Sequence, residues 1–268
     1  MTILANGLRR VGYELRGYFR AADQVVFTFL FPVLMLLLFG SIFGSQDVTL
    51  ADGSSVSGAT LMLPGFLAMA PWLSGIQGLA VDIAVEKHEG GLKRLGATPL
   101  HPLSYFIGKF GQVLVTTAIQ IALLLAVAQL AFGAGLPAAG SQGWSAFAWV
   151  TLLGLACCSA LGIAVSALPR SGRAAAAVVI PLVLIPQFIS GVYLTWDSLP
   201  EWLQNLASVL PLKWIAQGYR ASWLPDSFSA MEQGGAWNLP MVAIVIAAWL
   251  VIGVVLARLT FRWTRGRA

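Results

Sequence analysis

Six stretches of the chain carry no Asp, Glu, Lys or Arg and are long enough to cross a bilayer: Val25 to Phe43, Ala59 to Val81, Phe110 to Phe132, Trp144 to Leu168, Ala174 to Leu194 and Leu239 to Ala257. A helix rises 1.5 Å per residue, so about 20 apolar residues cover the roughly 30 Å of hydrocarbon. Inside lipid the backbone must satisfy its own hydrogen bonds, which leaves the helix as the form such runs take. The expected fold is an all-α membrane protein with six transmembrane helices. Pro32, Pro64, Pro71, Pro181 and Pro186 fall inside these runs and predict kinks. With 58% hydrophobic and 10% charged residues, and a mean hydropathy of +0.80, a water-soluble domain is excluded. The 268 residues hold the spans and short loops, with no repeat between the halves, so 1–268 reads as one membrane domain without a soluble catalytic unit.

Orientation follows from the cations, because cytoplasmic loops retain Lys and Arg. Arg9, Arg10, Arg16 and Arg20 precede the first span, Lys87, Lys93, Arg94 and Lys109 follow the second, Arg170 and Arg173 mark the next turn, and Arg258, Arg262, Arg265 and Arg267 close the chain. The opposite side keeps only Lys213 and Arg220, beside Asp47, Asp52, Asp197, Glu201, Asp226 and Glu232. Both termini are therefore expected inside, in a multi-pass cell-membrane protein of the bacterial cytoplasmic type. The first apolar run is too long for a signal-peptide core, and Gly44, Ser45, Gln46 offer no cleavage site, so it is expected to stay in the mature protein.

Residues 1–22 place Leu4, Leu8, Val11, Leu15 and Tyr18 at helical spacing opposite arginines, the pattern of a helix in the headgroup plane. From Asp82 to Pro102 a charged helical pattern runs on from the second span until Pro99 and Pro102. Residues 195–238 carry Trp196, Trp202, Trp214, Trp223 and Trp237, which suit the membrane interface, and Pro200 and Pro211 break the segment into short helices dipping into the outer leaflet.

Soluble chemistry is sparse. Gly108-Lys109 lacks the upstream glycine of a phosphate loop, so ATP is not expected on this chain. His88 and His101 lack a second ligand pair and read as solvated, and Cys157 and Cys158 read as small packing residues; no metal or other cofactor is expected here. The cations sit in short clusters beside apolar runs, which does not suit nucleic acid. Asp82 and Lys109 lie near the span edges, where snorkelling accounts for them, so the spans lack an ion-coupled relay and energy must come from outside.

The loop Val85, Glu86, Lys87, His88, Glu89, Gly90, Gly91, Leu92, Lys93, Arg94, Leu95, Gly96, Ala97, Thr98, Pro99, Leu100, with Tyr105 and Gly108-Lys109 after it, resembles the coupling-helix signature of ABC-2 type transporter permeases. Leu199, Pro200, Glu201, Trp202, Leu203 and Leu210, Pro211, Leu212, Lys213, Trp214, Gly218, Tyr219, Arg220 resemble that family's extracellular hairpin. The likeness covers essentially the whole chain. It implies a permease that pairs with a second copy or a paralogue and docks on a separately encoded ATPase, which would hold the ATP and Mg. On that resemblance residues 85–100 form the coupling helix, with Glu86, Lys87, His88, Glu89, Gly90, Leu92, Lys93, Arg94, Thr98 and Pro99 meeting the ATPase and passing its stroke to the second span. Trp202, Leu203, Pro211 and Trp214 belong to the outer hairpin.

If a dimer encloses the path, the second and fifth spans should line it through Phe66, Met69, Trp72, Gln77, Gln187, Phe188 and Tyr193, an aromatic surface with isolated polar groups that suits an amphipathic or lipid-like cargo such as a drug, lipid or glycolipid. Membrane lipids are then partners. An intramembrane lipid-modifying enzyme is the alternative, but Ser74, Ser159 and Ser166 are scattered. A non-transporting scaffold is the third reading.

Overall fold

The computed structural model describes residues 2–44, 47–49, 53, 55–134, 137, 140–193 and 196–261. Ser45, Gln46, Asp52, Leu194, Thr195, Arg262, Arg265 and Arg267 lie outside the described residues.

The chain opens with α1 (Ile3–Arg20), whose first turn is capped by the Thr2 hydroxyl accepting from Ala5 N–H. After Ala21 comes α2 (Ala22–Phe43), then a hairpin of β1 (Asp47–Thr49) paired antiparallel with β2 (Ser55–Ser57). Ser57 caps α3 (Gly58–Trp72) by accepting from Thr60 N–H, and a π-helical turn, Leu73–Gly78, leads into α4 (Leu79–His88). A short α5 (Gly91–Gly96) precedes α6 (Pro102–Phe132), which starts with Pro102 behind a His101 cap and ends on Gly133 in the left-handed region. The remaining helices are α7 (Gly140–Val165), α8 (Ala175–Ile189), α9 (Glu201–Val209), α10 (Pro211–Trp223) and α11 (Leu239–Thr260).

Among the described residues, five helical segments are long and apolar enough to cross a membrane: Gln24–Phe43, Gly58–His88, Pro102–Phe132, Gln142–Val165 and Leu239–Thr260. The sixth expected run forms only the 15 residues of α8, about 22 Å at 1.5 Å per residue and shorter than the hydrocarbon layer. The helices continue through all five expected kink prolines. The departure from α geometry is the π turn, two residues after Pro71.

At the centre stands α3, almost wholly buried against α2, α6, α7 and α10. The outer helices expose regular apolar stripes: Leu30, Leu34 and Leu38 on α2, and Val251, Val255 and Leu259 on α11. Water would leave these bare, whereas lipid covers them at no cost. At one end of the bundle Gly40 meets the ring of Phe132. Sixteen residues back along α2 lies Gln24, and twenty back along α6 lies Gln112; both donate to Asp82, at 3.0 and 3.2 Å. These polar side chains sit about 24–30 Å from the level of Gly40 and Phe132. The 31 residues of α6 run about 46 Å, so its first turns project past Asp82, and α1 packs along them.

Candidate functional site

At the junction of α1, α4 and α6 an ion cluster joins three elements remote in sequence. Lys109 is 2% exposed, and its Nζ lies 2.7 Å from Glu86 Oε1 and 2.8 Å from Glu14 Oε2. Glu86 Oε2 accepts from the Tyr105 hydroxyl at 2.7 Å, and Arg10 Nη2 reaches Glu14 at 2.7 Å. The Arg10 guanidinium stands over the Tyr105 ring at 5.0 Å. Close approach of α1 requires glycine on α6: a Cβ at Gly108 would come within 2.7 Å of Arg10, and one at Gly111 within 2.4 Å of Val11. Lys109 therefore does not snorkel. A buried ammonium between two carboxylates replaces hydration with charge-assisted hydrogen bonds.

Pattern reading missed Glu14, although its signal was present. It lies three residues after Val11 and four before Tyr18, on the face of α1 that buries Gly7 and Tyr18, and a charge on a buried face requires a partner. Leu4 and Leu8, assigned to the same apolar face, point away from the bundle and are 61% and 60% exposed.

The expected coupling segment is two pieces instead of one helix running on from the span. It breaks at Gly90, whose φ of +79° is a left-handed conformation that favours glycine. Leu92 roots α5 in an apolar cluster with Leu79, Ile83, Tyr105, Val113 and Leu155. Glu89, Lys93, Arg94, Thr98 and Pro99 remain exposed on the surface around α5. Glu86 turns inward to Lys109, Lys87 is half-buried, and the His88 Nε2 contacts the Pro169 carbonyl at 3.1 Å, so His88 is a bridge to the α7–α8 turn more than a solvated ring. His101 caps α6.

The expected path residues lie in different surroundings within the single chain. Phe66, Met69, Trp72, Gln187 and Tyr193 are buried: Tyr193 donates to Gln187 at 3.0 Å, its ring meets Phe66, and Trp72 Nε1 donates to the Val183 carbonyl at 3.1 Å. Phe188 is 60% exposed on the outer face of α8, and Gln77, in the π turn, opens into a separate cleft near Asp82.

Opposite the ion cluster, α9 and α10 form the expected hairpin. Trp202 is exposed as an interface residue should be, with Leu203 half-buried behind it. Trp196, Trp214 and Trp223 are instead packed inside, because α10 from Pro211 on is buried against α3, α7 and α11 and does not dip along a surface. The two cations that broke the charge pattern are also internal. Arg220 pairs with Glu232 through Nε, through Nη2 at 3.2 Å, and donates Nη1 to the Gly191 carbonyl at 2.8 Å. Lys213 donates to Gln217 and, at 2.9 Å, to Gln233, with the ring of Trp214 3.7 Å away and that of Trp196 4.6 Å away. Burial pushes the Lys213 ammonium down to about 7, with Arg220 adding to the shift and Glu232 opposing it.

Comparison with known proteins places these features. The family described as ABC-2 type transporter matches residues 11–224, which include Glu14, Glu86 and Lys109 of the ion cluster, α5 and the hairpin. The chain is 25% identical over 181 residues to the probable multidrug ABC transporter permease YbhR of Escherichia coli strain K12, and to its counterpart in strain O157:H7. The aligned stretch covers 68% of this chain and 48% of each relative, so the chain spans about half the length of the curated relatives it matches.

Proposed function

The chain belongs to the ABC-2 type transporter family, and from that premise we propose that it is the membrane subunit of an ATP-driven exporter, carrying an amphipathic or lipid-like cargo out across the cytoplasmic membrane. It works as a dimer, with a second copy or a paralogue, on two separately encoded ATPase subunits that hold the ATP and Mg. The α1 end faces the cytoplasm and the α9–α10 hairpin faces outside. Residues 1–268 act as one membrane domain, and α8 with the extension at its ends completes a sixth crossing. The exposed side of α8, with Val178, Leu182, Ile185 and Phe188, lies toward the other half of the dimer.

One observation carries the coupling assignment: α5 presents an exposed charged face while its base is rigidly tied to two spans. Leu92 ties it to the apolar cluster, and Glu86, one turn before the break, is bonded to Lys109 and Tyr105 of α6. A displacement of α5 by a closing ATPase passes to α4 and α6 together, as a rigid-body movement. Glu89, Lys93, Arg94, Thr98 and Pro99 make the contact, and Glu86 transmits it.

The test is co-purification with a candidate ATPase and measurement of stimulated hydrolysis. Lys93→Glu with Arg94→Glu lowers complex formation and stimulation by about tenfold, the effect of losing one charge-assisted contact, with the membrane subunit still folded. Unchanged binding and hydrolysis would reject α5 as the docking element. Side is checked with single cysteines at exposed positions: Ala97→Cys labels only from the cytoplasm and Ala230→Cys only from outside, the reverse pattern overturning the topology.

A further inference from the structure

Between α1, α2, α4 and α8 lies a cleft of about 770 Å³ at the level where Asp82 meets Gln24 and Gln112. Its volume is that of a site for a small amphiphile. One wall is apolar, with Phe27, Val81 and Ile180. The other is charged, and the charges do not cancel. Three carboxylates, Glu14, Glu86 and Asp82, share the two cations Arg10 and Lys109: Glu14 and Glu86 hold Lys109 directly, whereas Asp82 acts on it from beyond ion-pair distance and bonds, among the described residues, to the neutral amides of Gln24 and Gln112. At the rim, Arg16 and Arg20 stand one turn apart on α1, exposed, and neither forms an ion pair among the described residues. The hydroxyl of Tyr18, a residue only 5% exposed, also lines the cleft beside Thr28.

An occupant that answers all of these carries an anion for the rim, a cation for the deeper carboxylate, and a chain for the apolar wall. We propose that the cleft binds a phospholipid with an ethanolamine headgroup, its phosphate at Arg16 and Arg20, its ammonium at Asp82 and an acyl chain along Phe27 and Ile180. An anionic lipid without an amine leaves Asp82 facing like charge, and a choline headgroup cannot donate a hydrogen bond to it. The proposal needs this end of the bundle to lie at headgroup level and is independent of the direction of transport.

The experiment is to place the purified full chain in bilayer discs of mixed phosphatidylethanolamine, phosphatidylglycerol and phosphatidylcholine, extract it gently, and quantify the retained lipid by mass spectrometry. The expected result is enrichment of phosphatidylethanolamine over phosphatidylglycerol by about tenfold relative to the disc, the size of one charge-assisted hydrogen bond. Asp82→Asn removes that preference. Arg16→Gln with Arg20→Gln, both at exposed positions that do not threaten folding, lowers retention of every phospholipid. Equal retention of the two lipids by the unmodified chain, an undiminished preference in Asp82→Asn, or unaltered retention in the double arginine variant would each overturn the proposal. No ATPase is present in the assay, so its outcome is separable from that of the coupling experiment.

Discussion

Lys109 and Lys213 are buried lysines at opposite ends of the same bundle, and they are accommodated in different ways. Lys109 sits within 2.8 Å of two carboxylates from two other helices, and charge is met with charge. Among the described residues Lys213 contacts amide oxygens and indole faces, and burial weakens its hold on the proton. The difference teaches what each end does. The Lys109 cluster ties α1, α4 and α6 together beside an open cleft and next to the exposed α5, the element proposed to meet the ATPase. The Lys213 cage closes within one packed hairpin and holds it shut.

The largest expected effect is at Lys109. Lys109→Met leaves the half-buried Glu86 without a cation and Glu14 with Arg10 alone, and destabilises the protein by about 3 kcal/mol, read as loss of monodisperse protein or a lowered melting temperature. Adding Glu86→Gln recovers much of it, since Glu86 then carries no charge and Glu14 keeps its pair with Arg10. Failure to recover would mean that the cluster acts through packing and not charge.

A smaller loss, about 3 kcal/mol, is expected for Arg220→Met, which orphans the single carboxylate of Glu232. Replacing both residues by Met comes within about 1 kcal/mol of the parent, apart from the lost bond to the Gly191 carbonyl.

The third test uses pH. With the folded-state value of Lys213 lowered to about 7 and an ordinary unfolded lysine near 10.4, the unfolded chain binds the extra proton throughout the interval between them. This group therefore makes stability rise with pH from about 7 to about 10, with no contribution to the slope below. Melting curves across that range should show the rise in the parent and a flatter profile in Lys213→Met. An identical profile would mean that Lys213 remains charged in its cage.

The smallest effect is a control on the comparison. Lys93→Glu with Arg94→Glu lies on an exposed surface, so its effect on the melting free energy of the isolated chain stays within about 0.5 kcal/mol even while docking is lost. A large loss of stability would mean that α5 is part of the packed core.

Hydropathy marked five of the membrane helices to within a few residues at one end at least, because burial in lipid is a property of adjacent residues summed along one helix. It missed the extension of two of them, Gly58–His88 and Pro102–Phe132, where charged residues remain helical because they pair across the bundle. The family's loop motif pointed to α5 but gave it as one rod, although Gly90 was there to be read as a break. Tryptophan content marked the hairpin and misjudged its depth, since a ring that suits an interface also suits a core once its N–H finds a carbonyl, as Trp214 does at Ser208.

By itself the sequence determined that this chain lives in a membrane, where its helices lie and which family it joins, for each of these follows from local composition or a contiguous motif. Only the tertiary structure decided that Glu14, Glu86 and Lys109 form one cluster, that Asp82 faces a cleft, and that the two cations at the α10 end are interior. Those facts depend on which helix faces meet, and a buried charge is stable or ruinous according to a partner that stands far away along the chain.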